Sequence, residues 1–271
     1  MIDLPDASFL IPIRIDSIRR AKNINYVIEF ILSEFNVPIF LYEDDDQSRV
    51  EKHLNKNLLD KCCYCFFENK EANRTFHKAK LFNRMAIDSQ SSILIFQDSD
   101  CFLDSLGLYA DAIKMIQDGE SDLVYPHNKC PRYEVISDNF FDSGDRSYLK
   151  FFRQTNNNVG GLSMMSADAF SKIGMWNEHF ESWGKEDDDF CNRSNKMGLR
   201  INRLNGSLIH LNHDQDIGSG FYSKRSESSD KEIGRIWNMT KEELYDEVPN
   251  WSWVVEFNKV RKTSRKGNDN V

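Results

Sequence analysis

The chain has 271 residues, of which 40% are hydrophobic, 29% charged and 12% aromatic, which excludes wholesale disorder and allows one large domain with a sizeable buried core. Its formal net charge of −8 excludes a general attraction to nucleic acid, whose binders carry basic surfaces. Six cysteines without a pair of Cys-x-x-Cys spacings predict buried, reduced thiols rather than a zinc knuckle or a disulfide framework.

Residues 9–15 read as a strand, and Ile18, Ala21, Val27, Ile28, Ile31, Leu32 and Phe35 follow at helical spacing. A second strand over 37–42 ends in the acidic run Glu43-Asp44-Asp45-Asp46, giving a βαβ start. A helix over 78–88 leads into Ser92-Ile93-Leu94-Ile95-Phe96, the nearly unbroken apolar run of a strand buried on both faces. Asp98 and Asp100 end that strand, where open α/β sheets bind their ligands. A helix over 104–119 and a short strand over 122–125 come next. Over 128–153, Pro131, Asp138, Asn139, Asp142, Gly144 and Asp145 mixed with aromatics predict a long loop or lid. A stretch at 159–166 and helices over 167–173 and 186–197 follow. Thr240 and Glu243 fit a capping box, and Trp237, Trp251 and Trp253 are expected to pack a helical extension, 221–257, onto the main domain. Residues 258–271 read as a basic flexible tail whose Lys259, Arg261, Lys262, Arg265 and Lys266 are candidates for touching an anionic membrane surface.

Three clusters carry chemistry. Asp98-Ser99-Asp100 offers two carboxylates two residues apart, hard ligands for Mg²⁺ or Mn²⁺, and such an ion can neutralise a diphosphate. By itself the pattern also describes solvated acids at a strand end. Trp183-Gly184-Lys185-Glu186-Asp187-Asp188-Asp189 places four acids at a helix N-terminus, where the dipole favours some of them. The tryptophan and glycine ahead of them suit sugar recognition, with a ring against the C–H face and acids on the hydroxyls. His210 and His213 can share one metal only if the chain turns after His210, because residues three apart in a straight strand face opposite sides.

Phe76-His77-Lys78-Ala79-Lys80-Leu81-Phe82-Asn83, Phe96-Gln97-Asp98-Ser99-Asp100, Val159-Gly160-Gly161, Trp183 to Asp189 and Asn192-Arg193 occur in an order that resembles the β1,4-galactosyltransferases and related bacterial polymerase-type enzymes of the GT-A fold. Ile11-Pro12-Ile13-Arg14 is similar to their nucleotide-binding strand end. The resemblance implies an α/β, Rossmann-like, mostly parallel sheet flanked by helices. It divides the chain into a catalytic domain over 1–220, with a nucleotide-binding half over 1–126 and an acceptor and metal half over 127–220, followed by the helical extension. It places Pro12, Ile13, Arg14 and Asp16 at the uracil and ribose, with Phe76, Lys78 and Asp98 nearby. Asp100, His210 and His213 become ligands of Mn²⁺ or Mg²⁺, Gly160 and Gly161 the close approach of the donor sugar, and Glu186 and Asp188 holders of sugar hydroxyls beside Trp183 and Gly184. The chain departs from the family pattern at Asn158, where a tyrosine is usual, at Asp16 for an arginine, at Lys185 for a second glycine, and at His210 for a methionine ligand.

The implied activity is inverting transfer of galactose or N-acetylgalactosamine from a UDP-sugar to a saccharide hydroxyl, with Asp187 as general base. Asn158 keeps N-acetylgalactosamine open beside galactose. Competing readings are a non-catalytic nucleotide-sugar or carbohydrate-binding module and a metallohydrolase built on the two histidines. No apolar run approaches the ~18 residues of a membrane span, and the start, with Asp3 and Asp6, lacks the pattern of a secretory leader. The expectation is a cytoplasmic enzyme, peripheral at an inner membrane, building a bacterial surface polysaccharide on a lipid-linked acceptor.

Overall fold

The computed structural model of the chain describes residues 1–70, 75–180, 184–213 and 224–268. Trp183, the expected sugar platform, lies outside them.

The strands are β1 (Ile2–Asp3), β2 (Ala7–Ile13), β3 (Phe35–Asn36), β4 (Ile39–Asp45), β5 (Cys63–Glu68), β6 (Ile93–Gln97), β7 (Cys101–Leu103), β8 (Leu123–Tyr125), β9 (Lys129–Val135), β10 (Leu149–Asn156), β11 (Leu162–Ser166), β12 (Ile201–Arg203) and β13 (Leu208–Leu211). The helices are α1 (Ile18–Glu34), α2 (Val50–His53), α3 (Lys56–Leu59), α4 (Lys78–Ser89), α5 (Gly107–Gln117), α6 (Asn139–Ser143), α7 (Ala167–Lys172), α8 (Glu186–Lys196), α9 (Lys224–Asn238), α10 (Lys241–Glu247) and α11 (Ser252–Asn268).

Seven strands form the main sheet in the order β12-β8-β11-β6-β2-β4-β5. All neighbours run parallel except β11, which is antiparallel to both β6 and β8. Alternation along the central strands sorts apolar side chains into two layers. Phe9, Ile11 and Ile13 of β2 and Ile95 of β6 pack with Ile24, Val27 and Ile28 of α1 and Tyr109 of α5. Leu10, Leu94 and Phe96 pack the opposite way, against Phe82 and Met85 of α4, Trp176 and Phe190. Helices therefore cover both faces, as a buried parallel sheet requires. β11 and β12 complete this sheet, so strands from both predicted halves of the domain build one layer.

A second sheet has the order β10-β9-β13-β7, and it corrects the expected long loop. Residues 129–156 form an antiparallel hairpin whose arms enclose α6. No alternation announced it, because β10 is exposed along nearly its whole length and buries no face.

The acidic run after the second strand also has a different use. Asp45 still belongs to β4, and Glu43, Asp44 and Asp45 are buried. Glu43 accepts from the backbone N–H of Arg49 and from the Tyr64 hydroxyl, and Asp44 accepts from the N–H of His77.

At the C-terminal end the capping box is present, Thr240 accepting from the N–H of Glu243 and Glu243 from that of Thr240. Trp251 and Trp253 are buried, and the indole N–H of Trp253 donates to the Gly174 carbonyl at 2.9 Å. Trp237 does not share this packing; it is 49% exposed. The basic stretch does not begin a flexible tail at 258, since α11 continues through it to Asn268 and Arg261 donates to the Ser91 carbonyl. The cysteines are unpaired, but only Cys101 and Cys130 are buried and Cys63 is exposed. Among the described residues no helix is long and apolar enough to cross a membrane.

Candidate active site

A cavity of about 490 Å³ opens at the carboxyl end of β6, between the two sheets, and most of the residues singled out from sequence line it. Pro12, Arg14, Asp16 and Phe76 form one wall, and Lys78, Asp98, Glu186 and Asp187 another; Asn158, Gly160 and Gly161 lie between, and Asp100, His210 and His213 close the far side. Ile13 is the exception on the nucleotide wall, its side chain being buried in the core with Phe9 and Ile11. Gly184 and Asp188 are not part of the lining either. Gly184 donates its N–H to Glu186 Oε2 at 2.8 Å, and Asp188 is exposed on α8.

Helix periodicity divides the four acids of α8. Successive residues are about 100° apart, so Glu186 and Asp187 turn to the cavity while Asp189 turns inward. There Asp189 forms a wholly buried pair with Arg193 at 2.6 Å, and the Arg193 guanidinium also holds the Ile173 and Met175 carbonyls. One acid of the quartet is thus part of the core.

Lys78 opens α4, where the helix dipole disfavours a cation. Three carboxylates compensate, with Nζ 3.2 Å from Asp187, 3.3 Å from Asp98 and 3.5 Å from Glu186. Burial alone would lower the ammonium's pKa, but these acids raise it well above the usual lysine value. Asp187 is pushed up to about 7 by burial, by Glu186 and by Asp98, against the downward pull of Lys78. A carboxyl poised there can accept a proton near neutrality.

The glycine pair is placed by strand register. Antiparallel pairing of Leu162 with Gln97 sets the residues just before β11 beside those just after β6, and Asp98 donates its N–H to the Gly161 carbonyl at 2.8 Å. A Cβ at position 160 would stand 2.5 Å from Asp187 Oδ2, so the missing side chain leaves room for the carboxylate. Gly161 has φ +90°, and a Cβ there would meet Leu208 Cδ2 at 2.5 Å. Asn158 binds the Gly160 carbonyl through Nδ2 at 2.7 Å and so secures this loop.

The histidines meet because β13 stops at Leu211 and the chain turns there. The Asn212 amide donates to the Tyr133 carbonyl, and Asn23 of α1 holds the Asn212 carbonyl. The two rings lie 5.6 Å apart, with His213 Nε2 3.2 Å from Asp100 Oδ2 and His210 Nε2 3.7 Å from Asp100 Oδ1. Burial would raise the Asp100 carboxyl, but His210, His213 and Arg20 hold it down at about 2, while burial lowers His210. An ionised carboxylate and two imidazoles converging in this way fit a divalent transition ion. Asp100, Cys101 and His210 also offer ligand atoms within 4.8 Å of one another. Burial and the neighbouring Asp100 hold Cys101 far above the usual thiol value, so it remains a thiol that donates to Asp100 rather than a thiolate ligand.

Several lining residues were not singled out from sequence: Arg20, Cys130, Arg132 and Arg153. Arg20 bridges Asp16 at 3.0 Å and Asp100 at 3.5 Å. Its four-residue spacing from Asp16 was the available signal. Arg132 and Arg153 belong to the hairpin that had been read as a loop. Arg14, expected at the nucleotide, spends its guanidinium on the Asp44 and Thr75 carbonyls and stacks over Phe76 at 5.5 Å.

Comparison with known proteins bears on the fold and on distant relatives. Residues 145–214 match the family described as the N-terminal domain of galactosyltransferase. The chain is 26% identical over 184 residues to β-1,4-galactosyltransferase 2 of Mus musculus, covering 66% of this chain and 43% of that protein, and 25% identical over 150 residues to β-1,4-galactosyltransferase 3 of Homo sapiens, covering 54% and 34%. The chain therefore spans less than half the length of these relatives. Among solved structures, GalNAc-T7 with UDP, GalNAc and Mn²⁺ superposes with a TM-score of 0.56 at 14% identity, over 95% of this chain and 54% of that one. S. aureus TarS 1–349 in complex with UDP-GlcNAc gives 0.56 at 13% identity, over 90% and 71%. By domain match over part of its length and by its homologues the chain is similar to the β1,4-galactosyltransferases, and its architecture is the GT-A fold.

Proposed function

We propose that the chain is a metal-dependent hexosyltransferase that moves galactose or N-acetylgalactosamine from a UDP-sugar to a saccharide hydroxyl with inversion. The observation that carries this reading is that one cavity brings together a cation-binding set, Asp100, His210 and His213, and a neutral-poised carboxyl, Asp187. The UDP, GalNAc and Mn²⁺ of the GalNAc-T7 structure and the UDP-GlcNAc of the TarS structure support a nucleotide-sugar donor.

A divalent ion, when bound, supplies charge neutralisation for a departing diphosphate. Asp100, His210 and His213 would hold it, and Arg20 keeps Asp100 oriented from the α1 side. Pro12 and Phe76 offer apolar surfaces for a base and ribose, with Arg14 braced behind Phe76. Asp187 takes the proton of the acceptor hydroxyl as that oxygen attacks the anomeric carbon from the face opposite the leaving group. Lys78 holds Asp187, Asp98 and Glu186 in one arrangement before substrate enters, so little reorganisation is left for the reaction itself. Asn158, which holds the loop beside Gly160 and lines the cavity, would border the donor sugar, the element in which galactose and N-acetylgalactosamine differ at C2.

The test is UDP release with UDP-galactose, UDP-N-acetylgalactosamine, UDP-glucose and UDP-N-acetylglucosamine, each with and without Mn²⁺ and across a panel of saccharide acceptors. Metal-stimulated release with one of the first two donors is expected. Release indifferent to metal with every donor would overturn the proposal. Phosphate-ester cleavage without any acceptor would replace it with a metallohydrolase.

A further inference from the structure

The register of the four-stranded sheet aligns one residue from each strand in a row, and three of them face the cavity. Arg153 of β10 is paired with Arg132 of β9, Arg132 with His210 of β13, and His210 with Cys101 of β7. Arg132, Arg153 and His210 line the cavity. Neither arginine is needed to assemble the metal set or the base.

Arg153 joins this row through an irregularity. Phe151 lies opposite Tyr133, and unbroken alternation would put Arg153, two residues on, on the Tyr133 face. A bulge at Phe152 breaks the register, so that Arg153 rather than Phe152 pairs with Arg132 and shares its face. The cost is visible, since Phe152 is left 68% exposed on an edge strand. Arg153 stays exposed, its guanidinium 5.9 Å over the Phe152 ring, but the bulge sets it beside Arg132 on the lining of the open cavity.

Arg132 lies within the cavity wall, its Nε buried and without a hydrogen-bond partner among the described residues. No carboxylate is paired with Arg132 or Arg153 among the described residues, whereas Arg20 is ion-paired with Asp16 and Asp100. Adjacent strands are about 4.8 Å apart, so Arg153 stands ~10 Å from His210 along the row. Its charge therefore extends the positive surface away from the metal set rather than duplicating it.

We propose that Arg132 and Arg153 form an oxyanion site for a phosphate group that works without the divalent ion. Planar forked donors side by side suit a tetrahedral oxyanion. This rests on the sugar-transfer reading of the same cavity. The phosphate can come from the donor's diphosphate or from an anionic group carried by the acceptor.

Calorimetry on the full chain in EDTA, with inorganic pyrophosphate as the probe, tests the site without turnover. The native chain is expected to bind, and Arg132→Gln with Arg153→Gln to weaken binding by at least about tenfold, while Arg132→Lys with Arg153→Lys recovers part of it. Equal affinity in native and glutamine variants, or no binding by the native chain, overturns the proposal. Circular dichroism and thermal melting show whether each variant is folded, and single glutamine variants replace the double one if it is not. UDP and uridine separate the sources. If UDP loses the same factor and uridine none, the ligand is the donor diphosphate; if UDP is unchanged while pyrophosphate is lost, it is the acceptor's anion. Absence of UDP release with every UDP-sugar would sink the sugar-transfer reading and leave pyrophosphate binding as it stands.

Discussion

The two sides of the cavity solve opposite electrostatic problems. On the β6–α8 side one lysine, Lys78, faces three carboxylates, and Asp187 is driven up toward neutrality. On the four-stranded-sheet side one carboxylate, Asp100, faces two imidazoles and Arg20, and is driven down. An excess of acid over base makes a proton acceptor; an excess of base over acid makes a permanently charged ligand. The same residue type serves both chemistries, and its surroundings decide which.

Removing the proton acceptor is the most severe way to break this contrast. Asp187→Asn should lower turnover by about 10²- to 10⁴-fold while UDP-sugar affinity by calorimetry stays near that of the native chain, and near-native turnover would remove the base assignment. Gly160→Ala attacks the same group indirectly, since its Cβ would lie 2.5 Å from Asp187 Oδ2. A displacement approaching 1 Å can cost up to about 100-fold, and it should appear in kcat more than in KM. On the opposite side, Asp100→Asn should weaken Mn²⁺ binding, followed by calorimetry, by at least about tenfold, with the Lys78–Asp187 side of the cavity unchanged.

A pH profile sharpens the comparison further. Because Asp187 accepts a proton only when ionised and its pKa is raised to about 7, kcat/KM should rise as pH rises through about 7. Lys78→Gln removes a charge that pulls this pKa down, so the acidic limb should move upward; a limb unmoved by that substitution would mean that another group titrates. Asp188→Asn, at an exposed position, should be the mildest change, leaving stability and donor binding within about twofold. An acceptor KM altered by much more would give Asp188 a hydroxyl to hold.

The main sheet was legible because its strands are buried on both faces, and Ile93-Leu94-Ile95-Phe96 advertises that directly. The Asp98, Asp100, Asp187 and His213 positions were legible as motifs at element ends. The hairpin was not, because β10 is an exposed edge whose side chains obey no burial period. Its two arginines were hidden with it, 21 positions apart in sequence and adjacent only through a bulged register. The acid quartet was legible as a cluster but not as a division of labour. That division depends on which way α8 faces, with Asp189 bound to Arg193 in the core and Asp187 turned to the cavity.

The contact between Gly160 and Asp187 has an implication for how such sequences drift. The two positions share one small volume: with the carboxylate at 187 placed as it is, a methyl at 160 would stand 2.5 Å from it, so one of them must shift. A descendant that gave up proton transfer and shortened residue 187 would release position 160 from its restriction. Alanine or serine there, together with a truncated 187, would be the mark of a lineage that kept the fold for binding and abandoned the reaction.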